Sequence, residues 1–174
     1  MTAFFTSRRI KTQKGFSLVE LMIVIAIISV GLIIGIPTYN TTIKPTARLN
    51  GAGRQLYSDV QFARLQAIRD NVRCGIAFSA GPAYTVFIDN SPANSQYDGG
   101  EEVIKTVNLA NEYSKVQFDT SKGGGNGIDF TNNSFSIRPR GLATNGGSVF
   151  LVNEKGEGRE ILVNTMGTVR IVKY

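Results

Sequence analysis

The apolar positions of this chain follow three successive patterns. Nearly every residue from Phe16 to Pro37 is apolar, whereas over residues 46–71 apolar residues recur every three or four positions. Beyond residue 71 they alternate with polar residues in short runs that glycine-rich stretches separate. The first two patterns predict one long helix in two halves, and the third predicts β-strands joined by turns.

The apolar run has the length of a membrane-spanning helix. Its 22 residues, 16–37, would form a helix roughly 33 Å long, close to the thickness of the hydrocarbon core of a bilayer. No acidic residue precedes it, but four basic residues do: Arg8, Arg9, Lys11 and Lys14. Because basic flanks stay in the cytoplasm, the rest of the chain should lie across the membrane. A cleaved secretory signal and a plain membrane anchor are the alternatives.

One residue of the run, Glu20, does not suit a plain anchor. A carboxylate inside a bilayer costs about 2.5–3.5 kcal/mol, so such residues are normally kept for a partner. Between Leu18 and Ile36 the other residues that are not plainly apolar are Ser29, Gly31 and Gly35. We therefore expect Glu20 to interact with a group outside its own helix.

The second half of the predicted helix, residues 38–71, is amphipathic. Leu65 and Ile68 are expected to widen an apolar stripe formed by Leu49, Ala52, Leu56, Val60, Ala63 and Ala67. Over residues 46–71, six charged residues fall outside the stripe: Arg48, Arg54, Asp59, Arg64, Arg69 and Asp70. The arginines among them are expected to form a solvated face. Pro37 and Pro45 should each kink or locally unwind the helix.

Residues 72–174 form the predicted β-domain. Its strand candidates are GIAF, YTVFI, EEVIKTV, KVQFD, GIDF, SFSIR, SVFLVN, EILVN and TVRIVK. Consecutive short strands with tight turns and no helix between them predict antiparallel pairing. The fold class is therefore α+β, with a long N-terminal helix packed on a small antiparallel β-sheet domain.

The composition of the chain excludes several kinds of catalytic and metal site. The net charge of +6 falls to +2 when residues 1–15 are set aside, because 15 basic and 13 acidic residues then remain. The chain has no histidine and one cysteine, Cys74, so it has no intrachain disulfide, no cysteine zinc site and no Ser-His or Cys-His pair. We predict that the protein is not an enzyme, needs no cofactor and buries Cys74 as a structural thiol.

Two polar sets remain as candidate sites. The loop from Asp89 to Glu102 is rich in side-chain oxygens and could hold calcium, but its spacing matches no EF-hand. We favour a solvated loop there and predict no metal site. Basic residues of the C-terminal half could contact DNA phosphates if the fold gathers them, with ordinary surface charge as the alternative: Arg138, Arg140, Arg170 and Lys173.

The N-terminal segment KGFSLVELMIVIAII closely resembles the signature of type IV pilins and type II secretion pseudopilins. The resemblance implies that residues 1–15 are a leader, which a prepilin peptidase removes by cutting between Gly15 and Phe16. It also implies N-methylation of Phe16 and a role for Glu20 in subunit assembly. Pro37 falls where pilins carry a helix-breaking proline.

Later segments resemble the H-type minor pseudopilins, the GspH/FimT family. They are LYSDVQFARLQAIRDNVRCGIAF, FSIRPRGLATNGGSVFLVN and GTVRIVK. The resemblance implies a pilin fold, a single pass through the inner membrane over residues 16–37 and a periplasmic domain over residues 72–174. Other pilins or pseudopilins would be its partners in a filament. The chain lacks the C-terminal disulfide pair of many major pilins, which favours a minor subunit.

Three functions stay open on the sequence. The first is a minor pseudopilin that initiates or caps a periplasmic filament in type II protein secretion. The second is a minor pilin of a type IV pilus, and the third is a FimT-like subunit that binds DNA for uptake. In each, we expect Glu20 to pair with the amine that cleavage creates on Phe16 of a neighbouring subunit.

Overall fold

The computed structural model describes residues 15–90 and 92–174. Its helical part comprises α1, Leu18–Thr38, then a π-helix, Tyr39–Ile43, and then α2, Lys44–Asp70. The chain divides after Tyr39 into two compact units, which are described separately below.

Helix α1 is apolar around its whole circumference. Its described large apolar side chains are between 46% and 74% exposed. No helix within the described residues is both long enough and apolar enough to cross a membrane. The membrane span predicted for residues 16–37 therefore stays a prediction.

The two prolines occupy different helical positions. Pro37 lies near the end of α1, just before the π-helix, but the placement of its side chain lies outside what the structure describes. The kink predicted at Pro37 stays a prediction. Pro45 is buried at the start of α2, directly after the π-helix, so the helix departs from regular α geometry just before this proline.

Helix α2 buries the predicted stripe. All six of its members are at most 1% exposed, and the helix ends at Asn71 in a left-handed conformation with φ of 54°. Half of the stripe is alanine, which lets the helix backbone approach the strands beneath it. The amphipathic reading of this segment is thus confirmed.

One detail of the helix prediction was wrong, and one feature was not predicted. Leu65 and Ile68 do not widen the stripe, because Leu65 is 66% exposed and Ile68 is 49% exposed on the outward side of α2. Asp59, which falls outside the stripe, is only 5% exposed. It lies at the edge of the buried arc, where groups from two strands reach it.

The β-domain has eight strands in two sheets. They are β1 Cys74–Ser79, β2 Ala83–Ile88, β3 Val103–Asn108, β4 Val116–Phe118, β5 Ser134–Ile137, β6 Gly147–Asn153, β7 Gly158–Val163 and β8 Val169–Lys173. One sheet has the order β3-β2-β1-β5 and the other has the order β4-β6-β7-β8. Every strand pair is antiparallel, as predicted. The division into two sheets was not predicted.

Helix α2 and an aromatic cluster join the two sheets. Strands of both sheets pack against α2. Phe78 on β1 meets Phe118 on β4 with ring centroids 6.1 Å apart, and it stacks on Phe130 at 5.9 Å. These contacts close the core where the sheets meet, because edge-on and offset ring pairs stabilise beyond the area they bury.

Three further outcomes concern the strand region. The segment GIDF is not a strand, since Ile128 makes a single bridge to Val149 and the chain then turns through a 3-10 helix at Thr131–Asn133. A short helix, α3 at Leu109–Glu112, follows β3 and was not predicted. Cys74 is fully buried at the start of β1, and burial raises the pKa of its thiol to about 11, as suits a structural residue.

Asp59 fastens α2 to the first sheet. Its Oδ2 accepts a hydrogen bond of 2.6 Å from the hydroxyl of Tyr84 on β2. Nζ of Lys105 on β3 lies 2.8 Å from Oδ1 and 3.0 Å from Oδ2. Burial raises the pKa of Tyr84, and the bond to Asp59 raises it further, so its hydroxyl stays a donor. A buried carboxylate with this many donors is a fixed point between helix and sheet.

We expect Asp59→Ala to destabilise the protein by about 2–4 kcal/mol, because it removes several hydrogen bonds and leaves Lys105 and Tyr84 unpaired. Urea unfolding of the full chain in detergent micelles measures this. Asp70→Ala is the matched control, since Asp70 forms a solvent-exposed pair with Arg69 and its loss should change the stability far less. Equal losses in the two variants would contradict the role given to Asp59.

Candidate assembly site and arginine cleft

The predicted cleavage site is open to solvent. A Cβ atom placed on Gly15 would meet nothing within 4 Å, and Phe16 is 86% exposed. Residues 15–17 precede the first turn of α1 and belong to no helix or strand. A peptidase could therefore reach the peptide bond between Gly15 and Phe16 without unfolding any described element.

Glu20 carries the one charge of α1. It lies in the first turn, where the helix dipole favours a negative group. Its side chain is exposed, and it takes part in none of the hydrogen bonds or ion pairs formed by the described residues. The hydroxyl of Ser29, by contrast, donates to the carbonyl oxygen of Ile25 at 2.7 Å. Of the two polar side chains that the structure describes in α1, Glu20 is thus the one without a partner.

The cleft beside the end of α2 is lined by arginines. Arg73, Arg138 and Arg140 surround a space of about 530 Å³ together with Asn71, Pro139 and Leu142. A tight turn presents Arg138 and Arg140, because the amide of Gly141 donates to the carbonyl of Arg138 at 2.8 Å. Gly141 has a φ of 75°, which a residue with a side chain rarely adopts.

The four predicted basic residues do not form one site. Arg138 and Arg140 are exposed at the cleft, whereas Arg170 and Lys173 lie on β8 in the second sheet and do not line it. The sequence reading missed Arg73. That residue follows the left-handed end of α2, and only the return of the chain at residues 138–142 brings it beside the other two arginines.

An apolar hollow lies on the outward side of α2. It is lined by Phe62, Leu65 and Ile68, together with Gln66 and Arg69, and has a volume of about 440 Å³. These three apolar side chains project from the last turns of the helix and are 43–66% exposed. Within the described residues, no three His, Cys, Asp or Glu side chains are grouped to hold a metal ion.

An exposed apolar helix with one acidic residue, and a second helix packed on antiparallel sheets, define a pilin-like subunit. Residues 52–167 match the family described as "Type II transport protein GspH", and residues 10–36 match the prokaryotic N-terminal methylation motif. The chain belongs to the GspH family. The fold class and the family resemblance predicted from the sequence are both confirmed.

One relative is similar along nearly its whole length. The pilin-like protein PilA1 of Thermus thermophilus is 30% identical over 163 residues, covering 92% of this chain and 99% of PilA1.

Two solved structures share the fold. One is the minor pseudopilin EpsH from the type 2 secretion system of Vibrio cholerae, with a TM-score of 0.54 and 12% identity over 72% of this chain and 97% of EpsH. The other is the type IV minor pilin FimU of Pseudomonas aeruginosa, with a TM-score of 0.51 and 10% identity over 75% of this chain and 92% of FimU. The family and its structural neighbours are structural subunits, which confirms that this protein is not an enzyme.

The exposed Gly15–Phe16 bond yields a test of processing. In cells that contain a prepilin peptidase, the mature chain should begin at Phe16 and carry one added methyl group, as measured by intact-protein mass spectrometry. Gly15→Arg should remain uncut, because the peptidase reads the residue before the cut. Gly31→Ala is the control, since a Cβ there also meets nothing within 4 Å. Cleavage of the arginine variant at the normal rate would rule the site out.

Proposed function

We propose that this protein is a minor pseudopilin of a type II secretion system, a low-abundance subunit of a pilus-like filament. Residues 16–37 hold the precursor in the inner membrane, with the domain of residues 72–174 in the periplasm. A prepilin peptidase removes residues 1–15, and the processed subunit joins other pilins or pseudopilins. We place it at filament initiation or at the tip, as befits a subunit present in few copies.

The observation that carries this proposal is the exposure of α1. A helix that is apolar all round is stable only in an apolar surrounding, either a bilayer or a bundle of similar helices. The described large apolar side chains of α1 are between 46% and 74% exposed, so the helix does not bury them by itself. Passage from the membrane to a filament core keeps this surface away from water at every stage.

Glu20 then sets the register of assembly. Cleavage before Phe16 creates a positively charged amine at the end of the same apolar helix. In a helix bundle of low dielectric, an unpaired carboxylate and an unpaired amine are each costly, and pairing them between neighbours relieves both costs. An uncut subunit has no such amine, so the pair selects processed subunits.

We expect Glu20→Gln to be inserted and cleaved normally but to join filaments at least tenfold less well, since one partner of a buried pair is lost, at about 3–5 kcal/mol. Co-purification with the major subunit, normalised to the membrane pool, measures this. Glu20→Asp keeps the charge and should recover part of the assembly. Ser29→Ala controls for a polar change elsewhere in α1. Wild-type co-purification of Glu20→Gln would contradict the pairing.

Type II secretion is preferred over a type IV pilus because the matching family is described as type II transport and EpsH has the same fold. The likeness to FimU and PilA1 supports the pilus as the alternative. Deletion of the gene separates the two. Loss of protein secretion with normal pili supports the proposal, whereas loss of pili with normal secretion supports the alternative.

Binding of DNA is the second candidate function, and the arginine cleft is the observation that favours it. Three guanidinium groups line the cleft and no carboxylate does. Arginine is well suited to phosphate, because its planar fork of donors matches the phosphate oxygens. The cleft has no aromatic side chain for base stacking, so binding would depend on the phosphate backbone and not on sequence.

The separation of Arg138 and Arg140 from β8 provides a matched test. The double variant Arg138→Glu/Arg140→Glu should abolish binding of a duplex DNA fragment to the full chain in detergent. Arg170→Glu/Lys173→Glu changes the net charge equally and should keep most of the binding. Wild-type binding should also weaken steeply as salt is raised. Equal losses in the two double variants would show a general charge effect and would rule out the cleft as a site.

A further inference from the structure

The connection between β2 and β3 is built around a buried carboxylate, Asp89. The residue is only 2% exposed. Its Oδ2 accepts a hydrogen bond of 2.6 Å from the hydroxyl of Ser136 on β5 and one of 3.2 Å from the amide of Ser95. The guanidinium of Arg73 lies 3.9 Å from the same oxygen. All three groups contact the same oxygen of the carboxylate, Oδ2.

The other oxygen of Asp89 is buried and has no partner among the residues that the structure describes. The same is true of Oε1 of Glu101, at the far end of the connection, whose Oε2 accepts from the amide of Asp98 at 3.2 Å. A buried carboxylate oxygen without a donor carries a large desolvation cost. Water molecules or a positively charged ligand would satisfy two such oxygens.

The net negative charge of this connection also favours a positively charged ligand. Three carboxylates, of Asp89, Asp98 and Glu101, interact here, and the guanidinium of Arg73 is the cation in contact with Asp89. When all are ionised the set carries a net charge of about −2. The amide of Ile88 donates to the carbonyl of Glu102 at 2.9 Å, so the two ends of the connection, with Asp89 and Glu101, lie side by side.

We propose that this loop binds one divalent cation, calcium in preference to magnesium, through the unpartnered oxygens of Asp89 and Glu101. Calcium takes six to eight oxygen ligands in flexible geometry and accepts carboxylates, carbonyls and water together. Two carboxylates with neutral oxygens can suffice, which is compatible with the absence of a three-residue ligand group among the described residues. Magnesium demands a stricter octahedron and keeps more of its waters.

The cation would fix a connection that otherwise has few apolar anchors. Tyr97 provides one such anchor, with its ring centroid 5.3 Å from that of Phe87 on β2. Asp89 joins the loop to β5 through Ser136, and Arg73 joins it to the arginine cleft. Binding should therefore order the loop and stabilise the whole first sheet.

The test uses the full chain in detergent at neutral pH, stripped with a chelator and then titrated with calcium chloride. Thermal unfolding should shift upward by about 5 °C or more at saturating calcium. Terbium chloride, whose ion occupies calcium sites, should luminesce when tyrosine is excited, because Tyr97 lies in the same loop. An unchanged unfolding temperature together with an absence of luminescence overturns the proposal.

Variants and other ions exclude the simpler explanations. Glu101→Gln should bind calcium at least tenfold more weakly, and its unfolding temperature in chelator measures the effect of the substitution on the fold apart from calcium. Glu102→Gln is the matched control, since this neighbouring carboxylate is exposed, and it should keep the calcium response. Equal stabilisation by magnesium chloride would indicate general screening, and an unchanged calcium response in Glu101→Gln would indicate another site. Either outcome overturns the proposal.

Discussion

One helix has to cover two sheets, and this constraint determines much of the domain. Helix α2 contacts strands of both sheets with a buried face in which three alanines and a glycine lie among larger side chains, so the strands approach its backbone closely at the small residues. The apolar contacts of this face are not directional. Asp59 supplies what the face lacks, since its bonds to Tyr84 and Lys105 lock the helix against the first sheet at one point.

The sequence predicted the elements well and their long-range partners poorly. Period alone identified the buried stripe of α2 and the eight strands, because each of those patterns is local. The wrong prediction for Leu65 could have been avoided, because at about 100° per residue its side chain lies on the opposite side of the helix from Ala63 and Ala67. The burial of Asp59 could not have been predicted from the sequence, because it depends on strands that lie 25 and 46 residues further along the chain.

The candidate sites also differ in how far the sequence could predict them: one is made of contiguous residues, and the others are assembled only by the fold. The motif around Gly15, Phe16 and Glu20 is contiguous, so the family could be identified from it, and the family comparison agrees. The arginine cleft needed the fold, because Arg73 joins Arg138 and Arg140 only through the turn at residues 138–141. The loop after β2 was recognised as rich in oxygens, but its two unpartnered oxygens could not be identified without knowing which donors the fold supplies.

The cleft and the loop share Arg73, so a cation bound in the loop, as proposed above, would be coupled to the cleft. The guanidinium lies 3.9 Å from Asp89 and donates to the carbonyl of Ala93 at 2.8 Å. A cation bound to Asp89 would offset that attraction and raise the positive potential of the cleft. An anion in the cleft and a cation in the loop would then favour each other, by the same free energy in both directions. The two features are therefore better regarded as one charged end of the domain than as separate sites.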